Sequence, residues 1–522
     1  MKIAKLFIAL FVININAYAQ KEDYAELEWA KTFIGPDSNN SVSKGMALDK
    51  EGNIYVAVDD VAAIDSGFSH DYVIIKYNWS GQDELKLRYS PKIYSYNYNQ
   101  LEEIILDNIE NVYVAGTCTG HGYDKSYVTL KYNLAGVLQW NAITTVSHNI
   151  PVLSSPVGLA VDYSGNVYMA SHTMDVYKYD INGKLIWNTP INTNYFYSMA
   201  LDDEANIYLG GEDFILKYNS NGLKQWEVKD SLYHNVTIIK GNNVYFCGAG
   251  LSKYNLEGIK QWSVLNTGYY MTVDNDGNPV TFGDYYNGIY DQFRVIKFDT
   301  NGVKLWESFI EYPSFYLFSN RDICTDRFNN IYIAGYIVRV DGNSDIITAK
   351  FSPSGEQKWI MRYNGFPDAP ASGEPIVVVK VDSTGNVYIS AVTVFNQKQE
   401  QTVTIKYRQP NFPVSVKQEN IDKYSFQLFQ NYPNPFNPKT NIKYSLKENG
   451  QVQIDIINVQ GQTIKRLVNE EKSSGIYNVV WDGQTDKGFS AASGIYICRL
   501  LVKPALSGIP INIKSIKLLL IK

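Results

Sequence analysis

Histidines, aspartate-led turns and loop aromatics are the parts of this 522-residue sequence with the chemistry to bind or react. His70, His121, His148, His172 and His234 could ligate a metal or move a proton near neutral pH. None stands in HxH or HExxH spacing, so polar loop residues are the simpler reading. Turns such as "DNDGN" at 274 offer alternating carboxylates, but a calcium loop also needs a closing acid, and none follows at the right distance. Turn stabilisation is favoured. Cys118, Cys247, Cys324 and Cys498 lie far apart without CxxC spacing, which favours free thiols over a disulfide or zinc framework. No GxSxG, P-loop or nucleophile pair is present, and no cofactor is expected.

The aromatics are the better ligand candidates. Tyr94, Tyr96, Tyr98, Tyr123, Tyr285, Tyr286, Tyr290, Tyr312, Phe315 and Tyr316 fall in long connections, where flat rings could stack on a sugar or anchor a protein. Alternation as in "YSYNY" also fits the half-buried face of a strand. The net charge of −6 and a pI of 5.6, with no Lys/Arg stripe, exclude a nucleic-acid footprint. The opening "MKIAKLFIALFVININAYAQ" places two lysines before an apolar run and a small-residue Ala17-Tyr18-Ala19 site. This predicts a secretory signal over residues 1–19, cleaved between Ala19 and Gln20. Its core, broken by Asn14 and Asn16, is too short for a membrane anchor.

The elements that must position these residues are repeated. "KYNLAGVLQW" at 131 returns as "KYDINGKLIW", "KYNSNGLKQW", "KYNLEGIKQW" and "KFDTNGVKLW", each preceded by a phrase such as "DYSGNVYMAS". Eight copies of the second phrase are matched by Lys76, Lys131, Lys178, Lys217, Lys253, Lys297, Lys350 and Lys406. Each copy reads as four strands, with tight DxxGN and KYNxxG hairpins between strands one and two and between three and four. A Trp four residues after the second Gly, as in Trp140, Trp187, Trp226, Trp262, Trp306 and Trp359, could pack on the next sheet; the first copy has Leu85 there. The eighth copy lacks a Trp strand, and Trp29 stands spare before the first. Pairing the two would close a ring. Residues 20–408 are therefore read as an eight-bladed β-propeller, or a seven-bladed one if a degenerate copy is no blade. The sixth copy is the weakest, with Pro279 read where Tyr is usual. Short turns should share one face; long links around 59–71, 116–126, 283–293, 335–346 and 391–402 should form an arc of loops on the other.

The pattern resembles the bacterial β-propeller repeats called SBBP repeats, found in exported proteins, which implies a propeller without assigning an activity. Quinoprotein dehydrogenases share similar Trp and Gly repeats, but many of them carry an adjacent Cys pair that this sequence lacks.

After a polar linker over 409–423 the pattern changes. Residues 424–522 hold short alternating runs, "VQIDIINVQGQTIKRLV", "GIYNVVWDG" and "GIYICRL", which predict about seven strands in a small Ig-like β-sandwich. Together with "NYPNPFNP" they resemble the C-terminal sorting domain of type IX secretion cargo. The resemblance assigns a sorting motif to Asn431, Pro433, Asn434, Pro435, Phe436, Asn437 and Pro438. It implies an outer-membrane translocon and a sortase-like peptidase as partners, and release or attachment to surface lipopolysaccharide. The expected function is a non-enzymatic exported propeller that binds a glycan or protein; the alternative is a secreted carbohydrate-active enzyme.

Overall fold

The computed structural model describes residues 23–521 except 36–37, 65–66, 92, 94–97, 121–124, 147–154, 172–174, 192–194, 287–290, 315, 318–321, 339–343, 364–375, 396–398, 413–426, 430, 432–433, 435, 447–448, 459, 474 and 505–511. The predicted cleavage site at Ala19 and Gln20 lies outside them. Every regular element described is a strand, and the chain divides into two compact units, Met1–Pro413 and Val414–Lys522.

Within the first unit the described residues form eight antiparallel sheets of four strands, one of them with a short fifth strand. In the third sheet, Pro156–Val161, Val167–Ser171, Asp175–Tyr179 and Leu185–Pro190 follow one another in order. The first strand of each sheet packs on the first strand of the next, and Ser38–Leu48 of the first sheet packs on the three later strands of the chain that build the last. That succession returns to its start, which defines a propeller. Glu26–Phe33 supplies the fourth strand of the last sheet, antiparallel to Gln399–Arg408, with Trp29 opposite Lys406 and Leu27 opposite Tyr407. The ring thus has no unpaired outer strand where its ends meet.

The repeated phrases build the hairpins by side-chain chemistry. In "DYSGN", Asp162 Oδ1 accepts from the amides of Ser164 and Asn166, while Oδ2 accepts from Asn166 Nδ2 and the Tyr168 hydroxyl. Gly165 supplies the left-handed residue at φ 80° that the turn requires. The repeated lysine then lies over that tyrosine ring, 4.9 Å from its centre for Lys178 and Tyr168. The sixth sheet shows why the rule can bend. The strand register sets Val280, not Pro279, level with these tyrosines. Pro279 occupies the first residue of its strand, where a missing N–H is tolerated. With no phenol between them, Lys297 and Asp274 pair directly at 2.8 Å, both buried.

Neighbouring sheets are joined at one backbone carbonyl. Trp226 Nε1 and Lys217 Nζ of the fourth sheet both donate to Leu256 O in the next sheet's turn, at 3.1 and 3.0 Å. Trp187 with Lys178, Trp262 with Lys253, and Trp306 with Lys297 repeat this at Ser220, Thr300 and Pro353. Each ring lies flat against the turn's glycine: a Cβ on Gly302 would come within 2.7 Å of Trp262. Leu85 fills the same place against Gly136.

The expected arc of long loops is corrected. Residues 54–64 and 67–77 are strands, as are the approaches to the other four long links, so the described residues of these connections extend the second and third strands into tall hairpin arms, not loops. Their sequences pair across the link, as Asp59 with Tyr72 and Val61 with His70, and the ladder simply continues.

The second unit has seven strands in two sheets, one of Gln427–Leu428, Thr440–Leu446 and Gly475–Trp481, the other of four strands. Phe436 and Trp481, 5.3 Å apart, sit in its core with Ile454, Leu500 and Leu518. Phe436 exchanges backbone hydrogen bonds with the last strand, donating to Leu519 O and accepting from Ile521 N. Asn434 Oδ1 accepts from Leu519 N at 2.7 Å, and Asn431 donates to Thr440 Oγ1 at 2.8 Å. Asn437 and Pro438 form the bend before Thr440–Leu446; Pro433 and Pro435 lie outside the described residues.

Candidate functional site

Of the ten aromatic candidates, Tyr94, Tyr96, Tyr123, Tyr290 and Phe315 lie outside the described residues. The backbones of Tyr98, Tyr312 and Tyr316 run in strands, not in open loops. Tyr285 and Tyr286 end the sixth sheet's second strand, Pro279–Tyr286, and are exposed at 39% and 63%. Adjacent residues of a flat strand should point to opposite faces, yet both rings reach solvent at the end of this strand.

A small polar frame holds this tip. The Tyr285 ring packs on Phe309 at 5.2 Å, and the Arg294 guanidinium lies 5.1 Å from the Tyr285 centre. Arg294 also donates to Asn266 O at 2.5 Å and faces Glu307 at 3.7 Å. Tyr269, exposed, follows Gly268 and donates its amide to Phe282 O. The result is an exposed aromatic surface backed by a largely buried guanidinium, suited to stacking on a sugar or a partner's side chain. Sequence reading found the tyrosines but missed Arg294, Phe309 and Tyr269, which arrive from other strands and carry no local signal.

Titratable groups cluster elsewhere. His70 Nδ1 lies 3.6 Å from Asp59 Oδ1, both buried in the first sheet's tall hairpin. Next to them, Arg88 pairs with Asp60 and, at 2.7 Å, with Asp71. Arg88 thus bridges two of these acids within one hairpin. His234 is fully buried between Asp230 and Phe246, and burial lowers its pKa to about 4, with Asp230 opposing and Lys260 reinforcing the shift. His121, His148 and His172 lie outside the described residues. On the first strand of the second sheet a bulge between Leu101 and Glu103 brings Glu102 and Glu103 side by side. Burial lifts Glu103 to about 7, opposed by the Leu159 amide and aided by Glu102.

For metals, the described residues bring together only Asp49, Glu51 and Glu110, whose ligand atoms lie within 4.8 Å of one another on the short-turn face. Asp49 already accepts from the amides of Glu51 and Asn53 and from Asn53 Nδ2, so it has little left for an ion. The "DNDGN" turn behaves as the others do, with Asp274 tied to its own turn amides and Asp276 accepting from Asn329. All four cysteines are free; Cys118, Cys247 and Cys498 are buried and Cys324 is half-buried.

Residues 437–500 match the FlgD Ig-like domain family. No curated protein matches the chain. Among solved structures the chain is similar to BamB from Moraxella catarrhalis, at 14% identity over 74% of this chain and 100% of that one, with a TM-score of 0.45. It is also similar to the C-terminal WD40 domain of Sif2, at 10% identity over 74% and 99% of the two chains, with a TM-score of 0.48. PorZ, a surface component of the type-IX secretion system of Porphyromonas gingivalis, aligns at 13% identity over 92% of this chain and 75% of its own, with a TM-score of 0.37.

Proposed function

We propose that this chain is an exported, non-enzymatic β-propeller that binds a glycan or protein at the cell surface or in the medium through its tall-hairpin face. In this reading residues 1–19 are a cleaved signal, 20–408 the propeller, 409–423 a linker and 424–522 the type IX sorting module. The observation that carries the binding role is the exposed Tyr285–Tyr286 tip, braced by Phe309 and Arg294. Tyr285 is fixed by Phe309 and Arg294 with Tyr286 exposed beside it, so a ligand that covers both rings removes apolar surface from water at little cost in ordering Tyr285. A glycan array and a surface pull-down with the secreted chain test this: Tyr286→Ser with Tyr285→Ser should abolish the strongest signal, and retention of that signal rejects the tip as the site. For the tail, deleting residues 424–522 in the native host should trap the propeller in the periplasm; normal export rejects the sorting role.

The alternative is a secreted carbohydrate-active enzyme, with Glu103, a carboxyl that burial lifts to about 7, as its candidate general acid. Cleavage of a polysaccharide by the purified chain, lost in Glu103→Gln, would replace the binding-only reading.

A further inference from the structure

The opposite face carries a second, separate feature. Where the turns of the first and last sheets meet there is a cleft of about 590 Å³. Leu48 and Val381 line it together with the turns Asp49–Gly52 and Asp382–Thr384, and Trp79 forms one wall. The carboxylates of Asp49 and Asp382 are committed to their own turns. Lys50 Nζ donates to Asn108 O of the neighbouring turn at 2.6 Å, and Thr384 Oγ1 donates to Asp382 Oδ1, so what remains at the rim is the exposed Glu51 carboxylate and the Ser383 hydroxyl.

Trp79 is the anomaly. Its backbone carbonyl performs the seam's work, accepting from Lys406 Nζ at 2.7 Å and from Trp29 Nε1 at 3.4 Å. Ile181, Ser220, Leu256, Thr300 and Pro353 do the same in other turns, so that work asks nothing of the side chain. Yet here alone among the turns the position holds a tryptophan, and its ring is 60% exposed beside the cleft. Lys406 Nζ also lies over its ring, 5.6 Å from the centre, but Tyr388 already lies 5.8 Å from the same ammonium.

We propose that this cleft is a carbohydrate-binding site, with Trp79 as the platform for one sugar ring and Glu51 and Ser383 as hydrogen-bonding partners for its hydroxyls. A neutral hexose has one apolar face for the indole and a rim of hydroxyls that can donate to the Glu51 carboxylate and exchange hydrogen bonds with Ser383, whereas an anionic ligand would meet the carboxylates of Asp49, Glu51 and Glu110. The site is independent of the Tyr285–Tyr286 tip.

Titration calorimetry of the mature full chain against cellohexaose, laminarihexaose and chitohexaose tests it. At least one should bind, and Trp79→Leu should weaken that binding by about tenfold or more. Leu is the residue in the equivalent turns at Leu134 and Leu256, so the fold should hold. If Trp79→Leu lowers the melting temperature, Ser383→Arg, at an exposed position on the rim, gives the same readout by blocking the cleft. Absence of binding by all three sugars, or binding that Trp79→Leu and Ser383→Arg leave unchanged, overturns the proposal. Binding lost only in Tyr286→Ser would overturn it while supporting the tall-hairpin site.

Discussion

Most seams of the ring are made by consecutive pieces of chain; the closing seam is made by its two ends, and the same atoms do both jobs. Trp226 and Lys217 converge on Leu256 O across about thirty residues, whereas Trp29 and Lys406 converge on Trp79 O from opposite ends of the propeller sequence. The contacts are therefore indifferent to connectivity. Connectivity matters instead at the seam before it. The eighth sheet has no continuous third-to-fourth hairpin, so no turn carbonyl is available for Trp359 and Lys350. The side chain of Gln409 stands in: its Oε1 accepts from both, at 3.2 and 2.9 Å, while its amide reaches Gly385 O and the Tyr332 hydroxyl. A missing turn is replaced by one buried side chain.

The sharpest way to break this comparison is to remove residues 20–34. That strips the last sheet of its fourth strand and should lower the melting temperature of the propeller by more than about 10 °C. An unchanged melting curve would mean that closure contributes nothing. Gln409→Ala should come next, costing about 2 kcal/mol in chemical denaturation because the buried Trp359 indole loses its acceptor while Lys350 keeps only Asp23, 2.6 Å away. Gln409→Glu, which keeps the acceptor, should recover part of it; equal losses from both would deny the stand-in role.

An ordinary seam offers a pH test. His234, beside Asp230 between the fourth and fifth sheets, has its pKa lowered from 6.5 to about 4, so the unfolded chain takes up the proton first. Stability should therefore be full above pH 6.5 and fall as pH drops toward 4, by about 2 kcal/mol on reaching pH 5. His234→Gln should flatten that portion of the pH–stability curve, and an unaltered slope would place the acid sensitivity elsewhere. The smallest effect is expected from Leu85→Trp, which gives the first-to-second seam the ring it lacks. A gain below about 1 kcal/mol is predicted, and a loss would show that Gly136 leaves no room for an indole.

Much of this was legible in the residues because the repeat reports itself several times over. Asp, Gly and Asn at fixed spacing dictated the turns, and the spare Trp29 matched the strand missing after Tyr407, so the closure could be argued before any coordinates. The tall hairpins were misread as loops because their residues, such as Asp59–Asp60 and Asp284–Tyr286, are polar or aromatic and lack the apolar alternation that marks a strand with one buried face. Pro279 stands one residue before the tyrosine position, which the strand register gives to Val280. At the candidate sites only individual aromatics were visible. Arg294, Phe309 and the cleft beside Trp79 join residues from separate strands or from opposite ends of the ring, and no spacing along the chain encodes that proximity.

By itself, then, the sequence determined the hairpins, their number and the chemistry of each turn, because those interactions act within a few residues and recur. Only the tertiary structure decided which side chains meet: that Gln409 replaces a turn, that Lys297 reaches Asp274, and that an exposed Trp79 borders a cleft. Local hydrogen bonding is written in short phrases; the neighbours of a given ring are set by how successive sheets twist and pack around a common axis.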